Sequence, residues 1–265
     1  MTDRFDSGTA HPARRYNYWL GGKDNFAADR ESGDLLAKSY PAARIAARAN
    51  RAFLGRAVRF LAAEAGIRQF LDIGTGLPTA DNTHEVAQGV APESRIVYVD
   101  NDPMVMAHAR ALLTSTPDGE TTYLEEDLRN PERILASAGI LDFTRPVGLI
   151  LVAVVHFLPG QEESLRIVRT LVDALPAGSH LVMSLATTDL LTPELKAAWD
   201  ESLRTGRSDV YPRTREEFAA YFEGLDLVAP GIAPVGDWRP DPEAEEHPTP
   251  VEASIFGAVG HKKAG

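Results

Sequence analysis

After residue 66 the chain alternates between short apolar runs and longer amphipathic stretches. RQFLDIG (68–74), SRIVYVD (94–100), TTYLEED (121–127), VGLILVAVV (147–155) and GSHLVMSLA (178–186) are largely apolar. That is the pattern of strands buried on both faces of a parallel sheet. Helices are expected near 82–90, 103–114, 161–175, 192–204 and 214–223. Strands alternating with helices predict an α/β fold with right-handed crossovers. Further strands are expected in LDLVAPGI (225–232) and VEASIFGAVG (251–260), and the acidic, proline-rich GDWRPDPEAEEHPTP (236–250) reads as an exposed loop.

Before residue 66 the period changes. Ile45, Ala49, Phe53, Val58 and Leu61 recur at helical spacing and predict a long helix over 42–65, stopped by Gly66. A shorter helix, from after Asp24 to Ser39, is expected ahead of it. Tyr40-Pro41 separates the two, because the residue before proline disfavours the α region. RRYNYWLGGKDNFAADR (14–30) sets Tyr16, Tyr18, Trp19 and Phe26 around Gly21-Gly22 and suits neither a clean helix nor a strand. The chain divides into an N-terminal helical cap, 1–66, and one compact α/β unit, 67–265.

Composition narrows the class. With 265 residues, 44% hydrophobic and 25% charged, the chain has the make-up of a soluble globular protein. It has no cysteine, which excludes disulfides, thiolate nucleophiles and Cys-based metal sites. The N-terminus shows no apolar signal region, and LILVAVV (149–155) falls far short of the ~20 residues that span a bilayer. A cytoplasmic protein without a membrane partner is expected. The net charge of -11 argues against a nucleic-acid-binding surface. Residues 1–70 nevertheless hold 12 Lys/Arg against 7 Asp/Glu, and Arg44, Arg48, Arg51, Arg56 and Arg59 read as the wet face of the long helix.

FLDIGTGLPTADN (70–82) carries the chemistry. A strand ends at Ile73, Gly74-Thr75-Gly76 turns tightly, and a helix follows. Glycine there permits positive φ and close approach of a ligand to the backbone. The second strand ends at Asp100, a carboxylate closing an apolar run, which is placed to accept both hydroxyls of a ribose. Asn101 follows it, and Asp102 before Pro103 suits a helix N-cap. The third strand ends at Asp127-Leu128, where the carboxylate can accept from an adenine amino group or serve as a turn residue. Thr79 stands where a dinucleotide fingerprint requires a third glycine, so a nicotinamide or flavin ligand is the weaker reading. Asp72 in D-x-G-x-G, with an acidic second strand, fits the two halves of S-adenosylmethionine better.

YNYWLGGKDNFAADR, ARANRAFLGRAVRFL, FLDIGTGLPTADNTHEVA, IVYVDNDP and LVAVVHFLP together resemble a family of actinobacterial S-adenosylmethionine-dependent methyltransferase-like proteins. The resemblance implies a class I methyltransferase fold: a Rossmann-like three-layer sandwich with a seven-stranded, mostly parallel sheet and an antiparallel last strand. It implies cofactor contacts at Gly74, Thr75, Gly76, Asp100, Asn101, Asp127 and Leu128, to which we add Asp72 and Val154. Asn17 stands where relatives carry aspartate.

The fourth strand runs into VAVVHFLPG, which makes His156 the candidate general base. A histidine held by a backbone carbonyl is the alternative for it. Asn82 or Thr83 reads as a helix cap, and no metal site is expected, because His84 and Glu85 are adjacent and do not share a helix face. In the opening stretch Tyr16, Tyr18, Gly22, Lys23, Asp24, Asn25 and Phe26 are candidates for a lid over cofactor and acceptor, with Trp19, Leu20 and Phe26 alternatively anchoring the N-terminal helices. The function expected is methyl transfer to a small molecule. A non-catalytic cofactor-binding protein is the alternative, and a homodimer stays open.

Overall fold

Along the central strands, side chains alternate between two apolar layers. Phe70, Ile96, Tyr98, Ile150 and Val182 enter one cluster, while Leu71, Val97, Leu149, Leu151, Leu181 and Met183 enter the other. The period-two alternation of a strand thus buries both faces of the sheet. These positions come from a computed structural model that describes residues 6–112, 114–243 and 247–263. Position 113 of the expected 103–114 helix, positions 244–246 of the expected acidic loop, and the ends of the two expected units (1–5 and 264–265) lie outside the described residues.

The elements run α1 (Pro12–Trp19), α2 (Ala27–Ser39), α3 (Ala43–Ala63), β1 (Gln69–Ile73), α4 (Thr83–Val90), β2 (Arg95–Asp100), α5 (Pro103–Leu112) and β3 (Glu120–Glu125). They continue with α6 (Pro131–Ser137), β4 (Gly148–Val152), α7 (Gln161–Asp173), β5 (His180–Ala186), α8 (Pro193–Arg204) and α9 (Arg215–Ala219). Last come β6 (Asp226–Leu227), β7 (Ala233–Pro234), α10 (Pro250–Ala253) and β8 (Ile255–His261). The sheet order is β3-β2-β1-β4-β5-β8-β6, with β7 also on β8. β1 to β5 pair in parallel, and β8 runs antiparallel to β5, β6 and β7. Helices α3 and α4 cover one face, and α6, α7 and α9 the other.

The sheet has eight strands where seven were expected. LDLVAPGI does not form one strand: only Asp226 and Leu227 pair with β8. Pro230 has no N–H to give a ladder, Gly231 turns the chain at φ 85°, and Ala233–Pro234 pairs with β8 afresh. The expected 214–223 helix likewise divides into α9 and a 3₁₀ turn over Ala220–Phe222. Trp238, inside the expected exposed loop, is fully buried with its ring edge-on to Phe53 at 5.4 Å.

Helix α1 corrects the reading of residues 14–30 as lacking regular structure. Pro12 sits in its first turn, and His11 caps it by accepting from Ala13 N (3.3 Å). Its amphipathic signal is weak because Arg14, Arg15 and Asn17 are buried alongside its apolar residues. The arginines of α3 are not simply its wet face either: Arg56 donates to the carbonyls of Val235 and Trp238, and Arg51 to that of Ala80. Phe53, Val58 and Leu61 set α3 into the same apolar layer as Phe70 and Ile150.

Candidate active site

The glycine loop is pinned to the neighbouring strand. Gly74 N and Thr75 N both donate to Val99 O (2.8 and 3.2 Å). Gly74 has φ 75°, and a side chain there would overlap Val154. Gly76 has φ 69°, with nothing within 4 Å of where a Cβ would stand. The loop therefore presents bare backbone to open space beyond the strand ends.

Asp100 closes β2 beside it. Its Oδ2 accepts from Gly76 N and its Oδ1 from Asp102 N, both at 2.9 Å. A carboxylate has about four accepting positions, so each oxygen keeps one for a ligand hydroxyl. Burial pushes its pKa up, and the two backbone donors oppose that. Asp72, on the α3–α4 face of β1, accepts from Thr83 Oγ1 (2.6 Å) and is raised to about 6, chiefly by burial. Asp102 takes the cap position: it accepts from Met104 N (2.9 Å) and pairs with Arg14 Nε (2.9 Å). At the end of β3, Asp127 pairs with Arg129 (3.0 Å) and lies 3.4 Å from Asn101 Nδ2, while Leu128 is buried.

These groups open into one cavity of about 550 Å³. Asp72, Gly74, Thr75, Gly76, Asp100, Asn101, Asp127, Leu128, Val154 and His156 all line it. Its roof is α1 and its cap residue: His11, Arg15 and Trp19 fall four residues apart, with Tyr16 beside them. That spacing was legible in the sequence, yet the motif reading left out His11 and Arg15, gave Trp19 only an anchoring role, and also missed lining residues far along the chain such as Trp199 and Ser202.

The lid candidates separate. Tyr16 lines the cavity, donates to Ala47 O (2.8 Å) and receives Asn50 Nδ2 (3.0 Å). Tyr18, Gly22, Lys23, Asp24, Asn25 and Phe26 are not in the wall. Asn17 is the reason: its Oδ1 accepts from Asp24 N (3.2 Å) and Asn25 Nδ2 (2.9 Å), and Gly22 lies so close that a side chain would overlap it. Residues 22–25 thus form the turn between α1 and α2. Phe26 packs by Leu77 and Met104, under the Arg14 guanidinium at 5.3 Å, Tyr18 Oη donates to Asp34, and Lys23 is exposed.

His156 sits in a 3₁₀ turn after β4, buried, and burial lowers its pKa to about 3. Its Nδ1 accepts from Ala186 N (3.3 Å), which leaves the proton on Nε2. In this arrangement the ring is a neutral donor. His84 Nδ1 meets Tyr98 Oη at 2.9 Å, and among the described residues no three His, Cys, Asp or Glu side chains gather as for a metal ion.

A family model described as S-adenosyl methyltransferase matches residues 1–263. The chain belongs to the S-adenosyl methyltransferase family. Its cofactor is S-adenosylmethionine. A DUF574 family protein from Streptomyces avermitilis is 46% identical over 98% of this chain and 100% of its own, with TM-score 0.91. A candidate methyltransferase from Thermobifida fusca is 42% identical over 97% of this chain and 96% of its own, with TM-score 0.86. An O-methyltransferase family protein from Burkholderia thailandensis, 15% identical over 89% of this chain and 63% of its own, shares the fold at TM-score 0.55. No curated protein matches. The donor set suits this family's cofactor: a bare glycine loop, a carboxylate with free accepting positions, and an apolar wall at Leu128. Among the described residues no helix is long and apolar enough to cross a membrane.

Proposed function

We propose that this methyltransferase acts on a small-molecule acceptor enclosed beside the cofactor, beneath α1. The observation that carries this reading is the single roofed cavity that joins the glycine loop and Asp100 to a second wall formed by α2 and α8. Its volume of about 550 Å³ lies within the ~300–1,000 Å³ of small-molecule sites. Asp100 would hold the ribose hydroxyls, Asp127 the adenine amino group, and Leu128 the ring. Gly74, Thr75 and Gly76 would give the amino-acid half its room. S-adenosylmethionine supplies a methyl group already activated by its sulfonium.

The chain's own share is positioning and exclusion of water. Arg15, Tyr16 and Trp19 close the roof, and His156 lines the cavity as a neutral ring with its proton on Nε2. Titration calorimetry tests the cofactor site: S-adenosylhomocysteine should bind, and Asp100→Ala should bind at least about tenfold more weakly. Labelled S-adenosylmethionine with extract from the source cells should place methyl in the small-molecule fraction. Label in protein or nucleic acid would overturn the acceptor reading. Binding with no transfer would favour a cofactor-binding protein.

A further inference from the structure

The half of the cavity away from Asp100 has a chemistry of its own. Leu36, Tyr40, Leu54, Phe157, Trp199 and Ile255 face it. Tyr40 and Trp199 meet at 5.5 Å, tilted by 54°. Both have their polar ends already engaged: Tyr40 Oη donates to Glu252 O (2.6 Å) and Trp199 Nε1 to Val210 O (3.2 Å). What they leave for a ligand is therefore their apolar surface.

Charge in this half is cancelled internally. Arg15 is buried between Trp19 and Phe157, its guanidinium 5.7 and 6.0 Å from their ring centroids, and it pairs with Asp209 at 2.5 Å. His156, held neutral by burial, adds no charge. Three buried polar atoms on lining residues have no partner: Arg15 Nε and Ser202 Oγ in this half, and Arg51 Nε on the side of the cavity by Asp72 and Asn82. A buried polar group without a partner has lost its water with nothing in exchange, a cost that a ligand's hydrogen bond would relieve.

Resting on the small-molecule reading above, we infer that the acceptor is an uncharged, flat, largely apolar molecule with one hydrogen-bonding group, seated between α2 and α8. An ionised acceptor would give up its water without meeting a free counter-charge. It would have to take Arg15 from Asp209. The cofactor also occupies the cavity, so the acceptor is small, on the scale of two fused rings.

The test uses the full chain saturated with S-adenosylhomocysteine and three probes sharing one ring system: 2-naphthol, 2-naphthoate and 2-naphthylmethylammonium. Ligand-observed NMR should rank 2-naphthol at least about tenfold tighter than either ion. Trp199→Ala should weaken 2-naphthol by about tenfold, and the gentler Ser202→Ala by about threefold, with S-adenosylhomocysteine affinity unchanged. Naphthoate binding as tightly as naphthol would overturn the inference and make Arg15 an anion anchor. So would binding of none of the three, or indifference to both substitutions. Failure of S-adenosylhomocysteine itself to bind would instead overturn the cofactor reading on which this rests.

Discussion

Ser184 Oγ receives the N–H of Ala153 at 3.0 Å and donates onward to Asn50 Oδ1 at 2.6 Å. Ala153 lines the cavity in a left-handed conformation, φ 54°, which costs a residue with a Cβ about 1–2 kcal/mol. The hydrogen bonds hold it there. Asn50 passes the connection to Tyr16, so the roof helix and the loop after β4 are joined through the buried Ser184 and Asn50. Ser184→Ala is expected to weaken S-adenosylhomocysteine about fivefold by freeing the loop. Adding Ala153→Gly, for which φ 54° is unstrained, should recover most of that loss. If the double variant binds no better than Ser184→Ala by calorimetry, the strain has no part in the site.

Arg14 and Asp102 fasten the same roof from its other side. Their side chains are 6% and 4% exposed, and Nε meets Oδ2 at 2.9 Å. Removing one member of a buried pair strands the other charge, a loss of about 3–5 kcal/mol. Arg14→Met should therefore lower the urea unfolding free energy by about 3 kcal/mol, and Arg14→Met with Asp102→Asn should recover part of it. Hydrogen exchange across residues 11–19 should speed up in the single variant. Unchanged exchange there would mean that the pair does not hold α1.

How far these features were legible follows from what each residue answers to. The strands at Phe70, Ile96, Ile150 and Val182 were readable because burial on both faces forces apolar runs. The place of Asp100, at the end of β2 and in the cavity wall, was readable because a carboxylate closing an apolar run stands out against the cost of burying it. Helix α1 was not, since Arg14 and Arg15 are buried against partners far along the chain, Asp102 and Asp209. No local period records such pairings. Nor did composition reveal that Trp238, in an acidic loop, completes the packing of Phe53.

His156 makes a pH prediction. Its folded pKa of about 3 lies below the ordinary 6.5 it regains on unfolding. Between those values the unfolded chain binds a proton that the native one does not, so stability falls as pH falls. The contribution is whole above about pH 6.5 and should be smaller by about 2 kcal/mol at about pH 5. His156→Gln cannot titrate, so its stability difference from the parent should shrink by that amount over the same interval. Parallel urea midpoints for the two proteins across the interval would refute a neutral buried ring.

Asp72 has the opposite sign. Burial raises its pKa from 3.8 to about 6, so the native state holds a proton that the unfolded chain has released. Its favourable contribution is complete below about pH 3.8 and gone once pH has risen through 6. Asp72→Asn should therefore be more stable than the parent by about 3 kcal/mol at about pH 8, with the gap closing in acid. The same carboxyl lines the cavity, and a cationic ligand favours its charged form. Binding of S-adenosylmethionine near pH 6 should then release protons, visible as a dependence of calorimetric enthalpy on the buffer's ionisation enthalpy. Asp72→Asn should abolish most of that dependence. Equal buffer dependence in both proteins would show that the cofactor's charge is felt elsewhere, and Asp72 would be left to its bond with Thr83.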